Sequence, residues 1–229
     1  MILSHKYKFI FLKTKKTAGT STEIALSKFC GPDDVITPIS EKDEQIRRQL
    51  GYRGPQNYIP TGTGSVWKDQ LAKWGLVRAK QFYNHMSAAE VKALAGDKVW
   101  QEYFKFCVER NPWDRMVSLY HWNFREKSAP PFSRFVRSRQ YRVLKNGGVR
   151  IYTIDGRFAV DQVCRFEDLT NELDEVRQRI GLPETLELPR AKGNHRIDKR
   201  HYREVFNPQD QARVARLFRN EILMFNYQF

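Results

Sequence analysis

The chain has 229 residues, 41% hydrophobic and 13% aromatic, which suits one globular domain with a sizeable core and excludes a globally disordered polypeptide. The formal net charge of +14 favours anionic partners: a nucleotide, a sulfated or phosphorylated substrate, nucleic acid or a membrane surface. No apolar run approaches the roughly 18–20 residues that span a bilayer, and the short apolar stretch after Lys6 and Lys8 lacks the h-region of a signal peptide, so a cytosolic protein without a membrane span is expected.

Residues 7–12 form a buried strand by their apolar continuity, and a helix is predicted from about Thr20 to Phe29. Residues 31–78, rich in Gly and Pro, read as an irregular insertion, a lid or substrate loop, with room for a short helix near 41–50. Ser87-Ala-Ala-Glu90 is a capping box, with Met86 and Val91 as its hydrophobic staple, so a helix starts at Ser87 and His85 lies just outside it. Phe104–Val108 is a second buried strand, and Asn111-Pro112 then opens a helix as N-cap and N1. Trp113, Met116, Val117, Tyr120 and Phe124 follow at helical spacing and read as core. A third strand covers about 160–166, followed by a helix over Thr170–Ile180 that stops at Gly181. A last helix runs from Asn207-Pro208 to about Met224. The three cysteines, Cys30, Cys107 and Cys164, are widely spaced without a CxxC pair and read as buried thiols. Strands alternating with helices predict a single α/β domain over 1–229 with a mainly parallel sheet, in which 31–78 and 123–157 are irregular or substrate-side insertions.

Three junctions hold polar residues where open parallel sheets bind ligands, at the carboxyl ends of strands. The first is Lys15-Lys16-Thr17-Ala18-Gly19-Thr20-Ser21, where an apolar strand hands over to a helix N-terminus. Backbone N–H groups, the helix dipole and Lys, Thr and Ser side chains make an anion cradle there. The pattern is not a Walker A motif, because its lysine precedes the glycine, which disfavours a P-loop ATPase or kinase. The second junction puts Arg110 at a strand end and Ser118 about two turns into the next helix, a pair suited to a second phosphate; the bland alternative has Arg110 paired with Glu109 or Asp114. The third carries His85, a candidate general base, whereas His5, His121, His195 and His201 lack such a context. Two basic runs add to the picture: seven cations within 134–157 facing only Asp155, and Arg190, Lys192, Arg196, Lys199, Arg200 and Arg203 facing Asp198. A basic nucleic-acid-binding module is the rival reading, although no RNP-like or zinc-finger pattern is present.

Taken together these motifs resemble the sulfotransferases that use 3′-phosphoadenosine 5′-phosphosulfate (PAPS), closest to the branch of heparan sulfate 2-O-sulfotransferase and the bacterial family 2 enzymes. Lys15–Ser21 resembles their 5′-phosphosulfate loop, PKTAGTS, with Lys15 where the family has Pro. Val108-Glu-Arg-Asn-Pro-Trp-Asp-Arg-Met-Val-Ser-Leu-Tyr120 resembles the 3′-phosphate motif VRNPxxRxxSxY, and Tyr83-Asn-His-Met-Ser87 resembles the segment bearing the catalytic base. Val163–Leu169 and Phe225–Phe229 resemble the late RFEDL and FGYxF segments. The resemblance implies a three-layer α/β/α, P-loop-like fold and sulfuryl transfer from PAPS, without a metal, to an acceptor hydroxyl, with carbohydrate favoured. It implies His85 as base, Lys16, Thr17 and the backbone of Gly19–Ser21 at the leaving oxygen, Arg110 and Ser118 on the 3′-phosphate, and Lys192 and Arg196 on a late basic loop over the nucleotide.

Overall fold

The computed structural model describes residues 1–60, 81–125, 127–189 and 200–229. Among the described residues the main sheet has five strands: β1 (Ile2–Ser4), β2 (Phe9–Leu12), β3 (Val35–Ile36), β4 (Phe104–Glu109) and, after the two-residue strands β5 (Thr153–Ile154) and β6 (Arg157–Phe158) of a separate hairpin, β7 (Gln162–Arg165). The order is β3-β1-β2-β4-β7. β2, β4 and β7 pair in parallel, while β1 runs antiparallel to both neighbours, so it alone opposes the common direction.

The period-two geometry of strands divides the apolar residues between two faces. Ile10, Leu12 and Cys107 join a cluster with Val91, Trp100, Ile151 and Tyr152. Phe9, Phe11, Phe106 and Val108 join another with Leu26, Leu173 and Val176. Burial on both faces explains the apolar continuity of β2 and the mainly apolar sequence of β4. A third cluster, around Trp113, Leu119, Phe135, Val214 and Phe218, packs the helices beyond the sheet edge.

The helices that position the site are α1 (Gly19–Ser27), α2 (Glu41–Gln49), α3 (Ala88–Ala95), α4 (Asp97–Glu102) and α5 (Pro112–Asn123). Later come α6 (Phe132–Arg137), α7 (Tyr141–Asn146), α8 (Val149–Tyr152), α9 (Leu169–Ile180), α10 (Tyr202–Val205), α11 (Pro208–Leu217) and α12 (Arg219–Phe225). The expected capping box at Ser87 forms with Glu90, and Met86 and Val91 are both buried beside it. Asn111 caps α5 with Pro112 in its first turn, and Gly181 ends α9 in the left-handed conformation. Cys30, Cys107 and Cys164 are buried and unbridged. No described helix is long and apolar enough to cross a membrane.

The structure differs from the sequence reading in three places. Residues 31–60 are not irregular throughout: the short helix allowed near 41–50 forms as α2, but Ile36 is fully buried as part of β3, and Arg47 of α2 lies in the core within 3.7 Å of Glu23. Residues 132–152 form three short helices instead of an irregular segment. The last helix is broken at Phe218, whose backbone leaves the helical region at φ −116°, ψ 29°. The break lets Val214 and Phe218 pack against Trp113 while Phe225 turns to the Tyr152 side of the sheet.

Candidate active site

β2, β4 and β7 end at the same edge of the sheet, and the segments leaving them meet around a cavity of about 740 Å³. Lys15–Ser21, His85, Arg110 and Ser118 all line it. Lys192 and Arg196 lie outside the described residues; Leu188 and Pro189, just before that segment, line the same cavity.

The first wall is the loop from β2 into α1. Lys16 (φ 66°) and Ala18 (φ 59°) are left-handed on either side of Thr17, a backbone shape that turns successive N–H groups into one concavity. Ala18 is the N-cap of α1 and supplies no capping side chain, so the helix start is left to the backbone. Gly19 is required by space: a Cβ there would stand 2.8 Å from Lys13 Cγ and 3.3 Å from the Thr14 carbonyl oxygen. Thr17 departs from the expected cradle. It is fully buried, and its hydroxyl pairs with Thr14 Oγ1 at 2.7 Å, tying the loop to itself. Thr14 Oγ1 in turn donates to the Val108 carbonyl, fastening the loop to β4.

The lysines separate by environment. Lys13 is 4% exposed, and its Nζ lies 2.7 Å from Glu23 Oε2. Burial by itself would raise the Glu23 carboxyl, but Lys13, the Met1 amino group and Arg47 outweigh it and hold the carboxyl at about 2. The Lys13 charge is therefore committed to the core. Lys15 lays its stem over Gly147, where a Cβ would sit 2.5 Å from its Cγ and Cδ, and its N–H donates to the Gly147 carbonyl at 2.8 Å. Lys16 lines the cavity with its Nζ 4.6 Å from the centre of the Trp122 ring, a cation–π contact.

The second wall is the start of α5. Arg110 is held by Asp114, with contacts of 2.9 Å from Nε and 2.6 Å from Nη2. Its guanidinium also stacks 3.9 Å from the Phe166 ring centre and donates from Nη1 to the Lys16 carbonyl at 3.3 Å. The Asp114 alternative is thus real, yet the same contacts fix Arg110 at the cavity wall. Ser118 lies on the next turns of α5 and faces the same cavity.

The third wall is His85, in the left-handed conformation at φ 63°. Its Nδ1 donates to the Lys13 carbonyl at 2.9 Å, stapling this loop to the end of β2 across 72 residues of sequence. In the neutral ring that bond leaves Nε2 as the lone-pair nitrogen. Burial, reinforced by the charges of Lys13 and Lys15, lowers the imidazole from its ordinary 6.5 to about 3.

That shift makes stability depend on pH. Between about 3 and 6.5 the unfolded chain binds the proton and the folded chain does not, so stability falls as pH drops. From pH 7 to pH 5 His85 should subtract about 2 kcal/mol, at about 1.4 kcal/mol per pH unit below its unfolded value. Urea unfolding of wild type and His85→Gln at both pH values checks this: the wild type should lose more stability by that amount. Equal losses would mean that the folded imidazole titrates normally.

Sequence reasoning missed the group behind the loop. Arg115 is 1% exposed and donates from Nε to the Lys15 carbonyl and from Nη2 to the Gly147 carbonyl, each at 2.7 Å. Its Nη1 pairs with Glu109 at 2.5 Å, and Glu109 also accepts from Tyr152 Oη at 2.9 Å. Arg115 stands at the second arginine of the Arg110–Tyr120 motif, the one signal that marked it. His121, passed over in the sequence, also lines the cavity together with Trp122 and Asn123.

A protein of Archaeoglobus fulgidus, described as uncharacterized, is 32% identical over 106 residues, which cover 45% of this chain and 88% of that protein. No solved structure gives a significant match. The sequence model described as "Sulfotransferase family" matches residues 1–228, which takes in every wall of the cavity, and the chain therefore belongs to the sulfotransferase family.

Proposed function

We propose that this sulfotransferase takes its sulfuryl group from PAPS and delivers it to an acceptor hydroxyl, by in-line displacement with His85 as general base. The observation that carries the reading is the convergence of Lys15–Ser21, Arg110, Ser118 and His85 on one cavity. The sheet buried on both faces supports the three-layer, P-loop-like fold that this chemistry accompanies. PAPS supplies the activated S–O bond; the chain supplies the charges and the base.

In this reading, Lys16 and the N–H groups of Gly19–Ser21 meet the negative charge that grows on the leaving phosphate oxygen. Arg110 and Ser118 hold the 3′-phosphate. His85 Nε2 takes the acceptor proton as the new O–S bond forms and the old S–O bond breaks. A donor bearing several negative charges offsets the field of Lys13 and Lys15, so its binding raises the basicity of His85 toward the working pH. Lys192 and Arg196 are proposed nucleotide contacts, because the chain enters their segment from Leu188 and Pro189 at the cavity wall. Val143 brings the Arg-rich 134–157 segment to the cavity, which favours an anionic carbohydrate as acceptor.

Calorimetry with 3′-phosphoadenosine 5′-phosphate and with ADP tests the donor. The 3′-phosphate contacts are charge-assisted, each about 1.5–3 kcal/mol, so the former should bind at least about tenfold more tightly. Equal affinities, or binding of neither, would overturn the reading.

A further inference from the structure

A second cavity, of about 400 Å³, has a lining that shares no residue with the donor cavity. One wall is the stretch from α7 to α8, with Lys145 and Arg150; the other is the α11–α12 break, with Arg216, Arg219 and Glu221. All four cations are exposed, and among the described residues none of them is in an ion pair. Arg150 is held instead by a neutral partner, donating from Nη1 to Asn146 Oδ1 at 3.3 Å. Glu221 is 6% exposed, and burial, with the nearby charge of Glu109, raises its carboxyl above the ordinary value. The lining is net positive whether or not Glu221 carries its proton.

Gathering four cations around a single carboxylate in one concavity is unfavourable through self-repulsion, and a bound anion reduces that cost. A merely solvating basic surface would need no concave wall and no convergence of two distant segments. The segment that carries this wall also touches the donor loop. Gly147, between Lys145 and Arg150, accepts from the Lys15 N–H at 2.8 Å and from Arg115 Nη2 at 2.7 Å. A side chain at Gly147 would strike Lys15, so the wall and the loop are in van der Waals contact as well as hydrogen-bonded.

We propose that Lys145, Arg150, Arg216 and Arg219 form a second oxyanion site, for a small multiply charged phosphate or sulfate species, behind the loop that carries Lys15. The probe is inorganic pyrophosphate, titrated calorimetrically into the full chain at constant ionic strength. The same titration is run on Arg216→Ala/Arg219→Ala and on Arg110→Ala. Both arginines of the double variant are exposed, so its melting temperature should match the wild type and report an intact fold. The expected result is a binding event weakened at least about tenfold in the double variant and retained in Arg110→Ala. Pyrophosphate binding that the double variant leaves unchanged, or that Arg110→Ala alone abolishes, would overturn the proposal. Because the readout does not use the sulfuryl donor, its failure is separable from failure of the donor assignment.

Discussion

His85→Ala should lower kcat by about 10²–10⁴-fold while leaving the affinity for 3′-phosphoadenosine 5′-phosphate within about twofold. A neutral alcohol attacks sulfur poorly until its proton is removed, and the neutral imidazole offers Nε2 for that task. Nδ1 is occupied by the Lys13 carbonyl at 2.9 Å, which fixes both the tautomer and the ring direction. The ring is already deprotonated at neutral pH, because burial and the neighbouring lysines hold it at about 3. His85→Gln serves as the stricter variant: it can keep the bond to Lys13 without providing a base. Steady-state kinetics beside nucleotide calorimetry make the measurement. Turnover near wild type in His85→Gln would remove His85 from the chemistry and leave it as the staple between its loop and β2.

Lys16→Ala is expected to slow transfer by about 10²–10³-fold, the range for removing one preorganised donor at a developing oxyanion, and to weaken nucleotide binding far less. The three lysines of this loop carry equal formal charge, and packing distinguishes them. Lys13 is paired with Glu23 in the core, and Lys15 packs its stem on Gly147. Lys16 is at the cavity with its ammonium over Trp122, a contact that an anionic group can displace at modest cost. Lys13→Ala is the contrasting variant. It removes the nearest of three cations around the buried Glu23 carboxylate, leaving the Met1 amino group and Arg47, and should lower stability, seen as a lower urea midpoint. Single-turnover rates beside equilibrium affinities decide the case. A Lys16→Ala variant that binds nucleotide poorly yet transfers at the normal rate would show ground-state binding only.

Much of the fold was legible because its signals are local. A strand buried on both faces is mainly apolar, so residues 7–12 and Phe104–Val108 stood out, and strands form at Phe9–Leu12 and Phe104–Glu109. Caps are local hydrogen-bond chemistry, so Ser87, Asn111 and Gly181 marked helix ends near where they occur. Short elements without such signals were missed. Ile2–Ser4 and Val35–Ile36 are strands because partners hydrogen-bond to them, and three residues or two carry too little pattern to declare it. The break at Phe218 was equally hidden, since the residues on both sides keep helical spacing while packing on different clusters.

The candidate site divides the same way. The sequence by itself supplied the anion loop, the Arg110–Ser118 pair and the histidine just before a capped helix, because each is a contiguous motif whose chemistry follows from its residue types. Only the tertiary structure brought His85 to the end of β2, turned Thr17 inward, paired Lys13 with Glu23 and put Arg115 and Gly147 behind Lys15. Those outcomes depend on contacts between segments tens of residues apart, where burial and charge compensation choose among side chains that look alike in one dimension. A lysine's formal charge is written in the sequence; whether that charge faces a carboxylate in the core or the open cavity is decided by packing.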